Sequence, residues 1–263
     1  NAMPVKTKDF EWNTTLNLAH NKNVVEKLSN ETFSVDYVAM AYPGIAGNSD
    51  KYVQRLMEGC PIGQFYTLEW AGYNEEGVSQ FYVHDPETGE RTGETTTAPQ
   101  ETDQTKTGSA QPKLTYGWNN TLSYKNWSLN LFLQGVLGNK IFNALRAQYS
   151  AISLVTSGKN VLKEVATEQL FTDVNAQTPS DRYLENGSYL RLSTLSLAYN
   201  FGNFGEWVNN LTLYATCNNV FTLTGYSGTD PEVSLGGLTP GVDWSNSYYP
   251  RTRSYMIGMK VNF

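Results

Sequence analysis

The sequence predicts an all-β fold of antiparallel strands, and three observations carry that expectation. Short segments alternate apolar and polar residues with period two, connections are either minimal or very long, and aromatic residues gather at the strand ends that the minimal connections join. The composition agrees: 17 Tyr, 22 Gly, 13% aromatic and only 17% charged residues describe a β-rich chain. The 263 residues would suffice for one or two globular domains. Nineteen Lys+Arg against 25 Asp+Glu give a net charge of −6, and no basic stripe offers nucleic acid a footprint. No run approaches the roughly 18 apolar residues of a spanning helix.

The strands are taken in order. Asn1-Ala2-Met3 before Pro4 reads as an expression scar, and the pattern from Asp9 leaves no room for an opening strand, so the chain is read as a piece of a longer one. Over 9–19, Phe10, Trp12, Thr14, Leu16 and Leu18 alternate with Asp9, Glu11, Asn13, Thr15 and Asn17. Over 114–124, Leu114, Tyr116, Trp118, Leu122 and Tyr124 form one row, broken by Asn120. Lys125-Asn126 is a two-residue turn into 127–135, where Trp127, Leu129, Leu131 and Leu133 face Ser128, Asn130 and Gln134, with Phe132 the exception. Residues 189–200 change parity between Leu190/Leu192 and Leu195/Leu197/Tyr199, which either a β-bulge near Ser193 or two half-buried faces would reconcile. Leu211, Leu213, Ala215 and Cys217 mark 209–219; Tyr255, Ile257, Met259, Val261 and Phe263 mark 253–263, with Met256 out of pattern.

The connection 201–208 is short, whereas 21–113, 136–188 and 220–252 are long and polar. Structureless loops of that length count against a compact soluble domain. Short turns at one end and long loops at the other are the habit of an outer-membrane β-barrel, which places the three long connections outside the cell. The first holds short strand patterns at Phe33–Ala39, Phe65–Leu68 and Phe81–Val83; its tract Thr88–Ser109 is polar enough to be read as a mobile tip. An amphipathic helix is expected at Asn160–Leu170. Phe10, Trp12, Tyr124, Trp127, Tyr199, Trp207 and Phe263 all fall at the short-turn end, as an interfacial girdle would. On this reading Leu129, Leu131, Leu211, Leu213, Ile257 and Val261 face lipid. Alternation alone says only that a sheet has two faces, so a soluble β-sandwich stays open beside the barrel.

Taken together these residues resemble the SusC/RagA-like TonB-dependent outer-membrane transporters of Bacteroidetes. The likeness is carried by Gln111–Gly117, Leu122–Trp127 and Phe132–Asn139; by Asn186–Leu192; by Asn218–Tyr226 with Asp230–Val233; and by Tyr249–Arg253 before the last strand. It runs from about residue 8 to the end, with the order of that family's C-terminal part. The resemblance implies nutrient import of oligosaccharides or peptides, powered through TonB and covered by a SusD-like lipoprotein, in the bacterial outer membrane. A terminal Phe263 looks like the signal that barrel-assembly machinery reads, although any strand may end in Phe. The family's plug, TonB box and most of its roughly 22 strands are missing here. Six strands cannot close that barrel, so the piece alone is not transport-competent.

No cofactor and no enzyme activity is expected. There is no G-x-S-x-G elbow, H-E-x-x-H pair, phosphate loop or calcium loop. His20 and His84 lie far apart without companions, and Asp230 with Glu232, or Asp243 beside Trp244, would be the carboxylates for a glycosidase reading. Asp230-Pro231 reads more simply as turn initiation. Cys60 and Cys217 are read as packed side chains ahead of a disulfide, and the Asn-x-Ser/Thr triplets as chance. Ligand contact would fall to the loop aromatics Trp70, Tyr73, Tyr82, Tyr226, Trp244, Tyr248 and Tyr249, whose plainer role is to pack the loops together. A soluble β-sandwich that binds carbohydrate or serves adhesion is the alternative function.

Overall fold

The computed structural model describes residues 1–168, 173–205, 207–233, 236–244 and 250–263. Strands β1 (Ala2–Lys6) and β2 (Phe10–Ala19) open the chain. The first long connection holds β3 (Tyr37–Met40), β4 (Gln54–Met57), β5 (Gln64–Leu68), β6 (Trp70–Tyr73), β7 (Ser79–His84), β8 (Arg91–Thr96) and β9 (Gln104–Ser109). The hairpin β10 (Leu114–Tyr124) and β11 (Trp127–Leu137) follows. The second connection holds β12 (Lys140–Phe142), α1 (Ala144–Gln148), α2 (Lys163–Glu168) and β13 (Leu184–Asn186). The long strands β14 (Tyr189–Phe204), β15 (Val208–Thr224) and β16 (Ser254–Asn262) close the order.

One antiparallel sheet runs β1-β2-β10-β11-β14-β15-β16. Its register sorts the side chains into a mainly apolar and a mainly polar face, because residues directly opposite share a face. One rung reads Trp12–Leu122–Leu129–Leu197–Ala215–Ile257; the next reads Phe10–Tyr124–Trp127–Tyr199–Leu213–Met259. The opposite face carries Asn13–Thr121–Asn130–Ser196–Thr216–Met256 and Glu11–Ser123–Ser128–Ala198–Tyr214–Gly258. Leu129, Leu131, Leu211, Leu213, Ile257 and Val261 therefore all lie on the apolar face, and Phe132 and Met256 are apolar outliers on the polar one.

The parity change in β14 is a bulge. Both neighbours skip Ser193: Leu192 pairs with Leu133 and Phe221, and Thr194 with Phe132 and Asn218. On β15 the skipped residues are Asn219 and Val220, and Asn219 takes φ +54°, a left-handed value that asparagine tolerates best among side chains larger than glycine. The bulge keeps Leu190, Leu192, Leu195 and Leu197 on one face.

No second sheet covers that face among the described residues; the other sheets belong to the long connections. Ile257 is 86% exposed, Met259 69% and Leu18 61%, which no sandwich core would allow. The soluble-sandwich alternative is corrected on that ground. The few polar groups on the apolar face are satisfied within it: Trp12 Nε1 donates to Asn120 Oδ1 at 3.0 Å, and Trp118 Nε1 to Thr14 Oγ1 at 2.8 Å.

Three expectations change. An opening strand is present after all, because Ala2 pairs with Thr14, Val5 with Trp12 and Lys6 with Glu11, the register slipping around Pro4, which lacks an N–H. The tract Thr88–Ser109 is not a mobile tip. Its threonines form β8 on β7 and β9 on β5, and Asp103, 4% exposed, accepts from the His84 and Gln100 N–H groups. Composition suggests disorder there; β-branched threonine with strand partners gives order. The expected helix Asn160–Leu170 shrinks to α2, and its last two residues, Gln169 and Leu170, lie outside the described residues.

The long connections pack into a module with its own core of Ala41, Ile45, Val53, Phe65, Ala110, Phe142, Ala144, Ala147, Tyr183, Leu184 and Val242. Residues from all three connections contribute, so the loops fold onto each other rather than hang from the sheet.

Gly135 sets how closely three strands approach. A Cβ there would lie 2.0 Å from the Tyr189 carbonyl oxygen and 2.6 Å from Tyr116 Oη, whereas at Gly117 the nearest atom is a Phe132 ring carbon at 3.5 Å. In the full-length protein Gly135→Val is expected to cut the folded fraction severalfold, read as heat-modifiable gel mobility, with Gly117→Ala close to wild type. Equal yields of the two variants would refute this account of the β10–β11–β14 contact.

Candidate functional site

Three of the segments that carry the family likeness, Asn186–Leu192, Asn218–Tyr226 with Asp230–Val233, and the arginines before the last strand, meet where the polar face of the sheet reaches the long connections. Arg191 sits on that face between two leucines of the apolar row and is 1% exposed. Its guanidinium reaches Asp230 Oδ1 at 2.5 Å and Glu232 Oε2 at 2.7 Å, and its Nε donates to Thr222 Oγ1 at 2.9 Å. Glu232 also accepts from Arg251 Nη2 at 2.5 Å. The left-handed Asn219 ties in the last segment: its Nδ2 donates to the Arg251 carbonyl at 3.0 Å, and its own carbonyl accepts from Arg253 Nε at 3.2 Å.

A buried guanidinium is tolerable only with both of its edges paired. Asp230-Pro231-Glu232 supplies that pairing because the Glu232 N–H donates back to Asp230 Oδ1 at 2.9 Å, folding the two carboxylates toward one cation. These carboxylates are thus committed to Arg191, and the glycosidase reading of Asp230 and Glu232 loses its free acid and free base. The arrangement pins the connection after β15 across the polar face of the sheet.

A second polar node lies inside the loop module. Asp243 is 4% exposed; its Oδ1 accepts from the Ala144 N–H at 2.5 Å and the Leu145 N–H at 3.4 Å, and Tyr226 Oη donates to its Oδ2. Burial pushes the Asp243 carboxyl up to about 6, against the opposing pull of these donors. Asp243 therefore holds the start of α1 and the segment after β15 together as a structural group, with Trp244 packed on the core beside it.

The remaining aromatics named from the sequence also pack. The Trp70 and Tyr73 rings meet edge to face at 5.3 Å, and the Arg182 guanidinium lies 4.8 and 5.2 Å from their centres. Tyr82 lies under Arg91 at 4.0 Å, and Tyr226 is 6% exposed beside Ile141 and Val233. Tyr248 and Tyr249 lie outside the described residues. His84 Nε2 is 2.9 Å from Glu69, whose carboxyl the Arg91 guanidinium holds below the usual range; His20 Nδ1 meets the Lys113 carbonyl at 2.6 Å. No group of metal ligands occurs among the described residues. Cys60 and Cys217 are both free thiols. Phe263 follows β16 and is 86% exposed.

The sequence places Arg191 within a motif but by itself gives the residue no role. A signal is present nonetheless: a lone arginine in the polar row of an otherwise neutral strand, with an Asp-Pro-Glu downstream.

A two-faced sheet with an uncovered apolar side and loops gathered at one end is the fold of part of a large transmembrane β-barrel. In fold the chain matches part of one such barrel among solved structures. Over its whole length it is similar to TonB-dependent receptor P3 of Formosa agariphila at 29% identity and to TonB-dependent receptor SusC of Bacteroides thetaiotaomicron at 27%. The solved structure of the RagAB peptide transporter superposes with a TM-score of 0.75 at 23% identity, covering 99% of this chain and 28% of that one. No family model matches the chain. The chain spans 28% of receptor P3 and 25% of SusC, about a quarter of each.

Asp243 makes a pH prediction. Its folded value of about 6 exceeds the ordinary 3.8, so the fold prefers the protonated acid. That preference contributes fully below about pH 4 and is lost as pH rises through about 6, on the order of 3 kcal/mol at most. In hydrogen exchange of the full-length protein, corrected for intrinsic rates, amides of 142–146 are expected to be better protected at pH 4.5 than at pH 7. Asp243→Asn should abolish the difference; a wild type with equal protection at both pH values would contradict it.

Proposed function

We propose that this chain is the C-terminal barrel segment of a TonB-dependent outer-membrane importer that takes up oligosaccharides or peptides. The observation that carries the reading is the continuous apolar face, exposed across the sheet and matched by a polar face behind it. On this reading Leu129, Leu131, Leu211, Leu213, Ile257 and Val261 face lipid. The Phe10–Tyr124–Trp127–Tyr199 rung is then an interfacial girdle, supported by the edge-to-face contact of Trp127 and Tyr199 at 4.7 Å. The loop module then stands outside the cell, where a SusD-like lipoprotein would cover it, and Phe263 would be read during barrel assembly. That its relatives are TonB-dependent receptors supports the TonB partnership, which other parts of the full-length protein would make. The work is transport, with no catalytic step assigned to any residue.

The partition of faces can be tested at two adjacent residues of β11. Leu131→Arg places a charge on the apolar face in mid-strand, a cost of roughly 2–4 kcal/mol at the bilayer midplane. Asn130→Arg places it on the polar face. In the full-length protein Leu131→Arg is expected to abolish or sharply reduce the assembled barrel in outer membranes and Asn130→Arg to leave it assembled; equal loss in both would overturn the reading.

A further inference from the structure

We propose that a basic pocket at the loop ends of β2, β10 and β11 binds a phosphate group, a role separate from the cargo an importer would carry. The pocket, of about 570 Å³, is lined by His20 and by residues of the first two long connections, and lies within the ~300–1,000 Å³ range of small-molecule sites.

Its charge is one-sided. Lys22, Lys113 and Lys140 line it together with His20, and no Asp or Glu does, in a chain whose net charge is −6. Among the described residues none of these three lysines makes an ion pair. The acidic groups nearby are occupied elsewhere. Glu58, next to the lining Gly59, accepts from the Leu28 and Ser29 N–H groups at 2.7 and 3.3 Å. Asp181 feels the Lys140 charge but spends its Oδ1 on the Trp70 N–H at 2.8 Å. Cations gathered in one concavity without counter-charge repel one another, and a multiply charged anion held between them relieves that repulsion. Phosphate is the anion that lysine ammonium groups commonly hold as point charges.

The lysines are seated by backbone. Gly138 takes φ +81°, and a Cβ there would lie 2.9 Å from Cγ and Cδ of Lys113. A Cβ on Gly108 would lie 3.0 Å from Lys140 Cγ. The missing side chains make room for the two stems, which are thereby ordered before any ligand arrives and lose less freedom on binding. The remaining wall is fixed as well. The Val25 N–H donates to the Cys60 carbonyl and the Gly59 N–H to the Val25 carbonyl, both at 2.9 Å. Asn23 Oδ1 accepts from the Ile62 N–H at 2.8 Å, which leaves its Nδ2 as a neutral donor in the lining. His20 Nδ1, 2.6 Å from the Lys113 carbonyl, ties the end of β2 to the start of β10.

The experiment titrates the full-length protein, in micelles of an uncharged detergent, with inorganic pyrophosphate and, separately, with lipid A carried in the same micelles. At least one of the two is expected to bind, more weakly at high salt. The double variant Lys113→Gln/Lys140→Gln should weaken that binding about tenfold or more. Lys106→Gln, on β9 outside the lining, should leave it unchanged. All of these lysines are exposed, and heat-modifiable mobility verifies that each variant is folded. Binding of lipid A alone assigns the pocket to a lipid headgroup at the membrane surface; binding of pyrophosphate assigns it to a soluble phosphate ligand. The proposal is overturned if neither probe binds, if the folded double variant binds as wild type does, or if Lys106→Gln weakens binding equally. Membrane insertion of the wild type judges the importer reading separately, because the lysines could be indifferent to phosphate in a barrel that inserts normally.

Discussion

The structure depends on one constraint: across seven neighbouring strands, nearly all apolar side chains must stay on the same side. A slip of one residue in any strand would exchange its two faces. On the importer reading the apolar side faces lipid, so such a slip would put amides and hydroxyls among groups that cannot satisfy them. The polar exceptions on that side show how strictly the rule is kept. Asn120 and Thr14 remain there because Trp12 and Trp118 bring indole N–H groups to them.

The bulge and the charge cluster solve a problem that this constraint creates. Ser193 inserts one residue into β14, and the inserted residue lets the leucines on either side share a face. It also leaves a weak point in the ladder, because skipped residues give up regular pairing. Arg191 lies just before that point, Asn219 is among the skipped residues of β15, and Arg251 and Arg253 approach from the start of β16. The ion pairs from Asp230 and Glu232 tie Arg191 and Arg251 to the connection after β15, and Asn219 bonds the backbone of Arg251 and the side chain of Arg253. Local register and loop position are thereby set by the same few side chains, which gives a physical reason for those three motif segments to converge.

Much of this was legible in the sequence, because period-two alternation is a local property. Phe10 to Leu18, Leu114 to Tyr124 and Tyr255 to Val261 show their two faces without any partner strand. β1 was not legible: Ala2-Met3-Pro4-Val5-Lys6 is too short to alternate, and only pairing with β2 makes it a strand. The Thr88–Ser109 tract failed for a related reason, since its order comes from β5 and β7 rather than from its own composition. The loop core was hidden because Ile45, Phe65, Phe142 and Val242 are far apart in the chain and meet only through tertiary packing. Chemistry proved hardest to read: the carboxylates of Asp230 and Glu232 are held by Arg191, a pairing that only the fold brings about.

The central claim is tested most directly by spin-label accessibility in the full-length protein in liposomes, lacking Cys60 and Cys217, with single labels along β11 and through the bulge of β14. The account predicts that access to membrane-dissolved oxygen peaks at 129, 131 and 133 and at 190 and 192. Past Ser193 it should change phase to 195 and 197. A pattern that keeps one phase through Ser193, or that lacks a two-residue period, would contradict it.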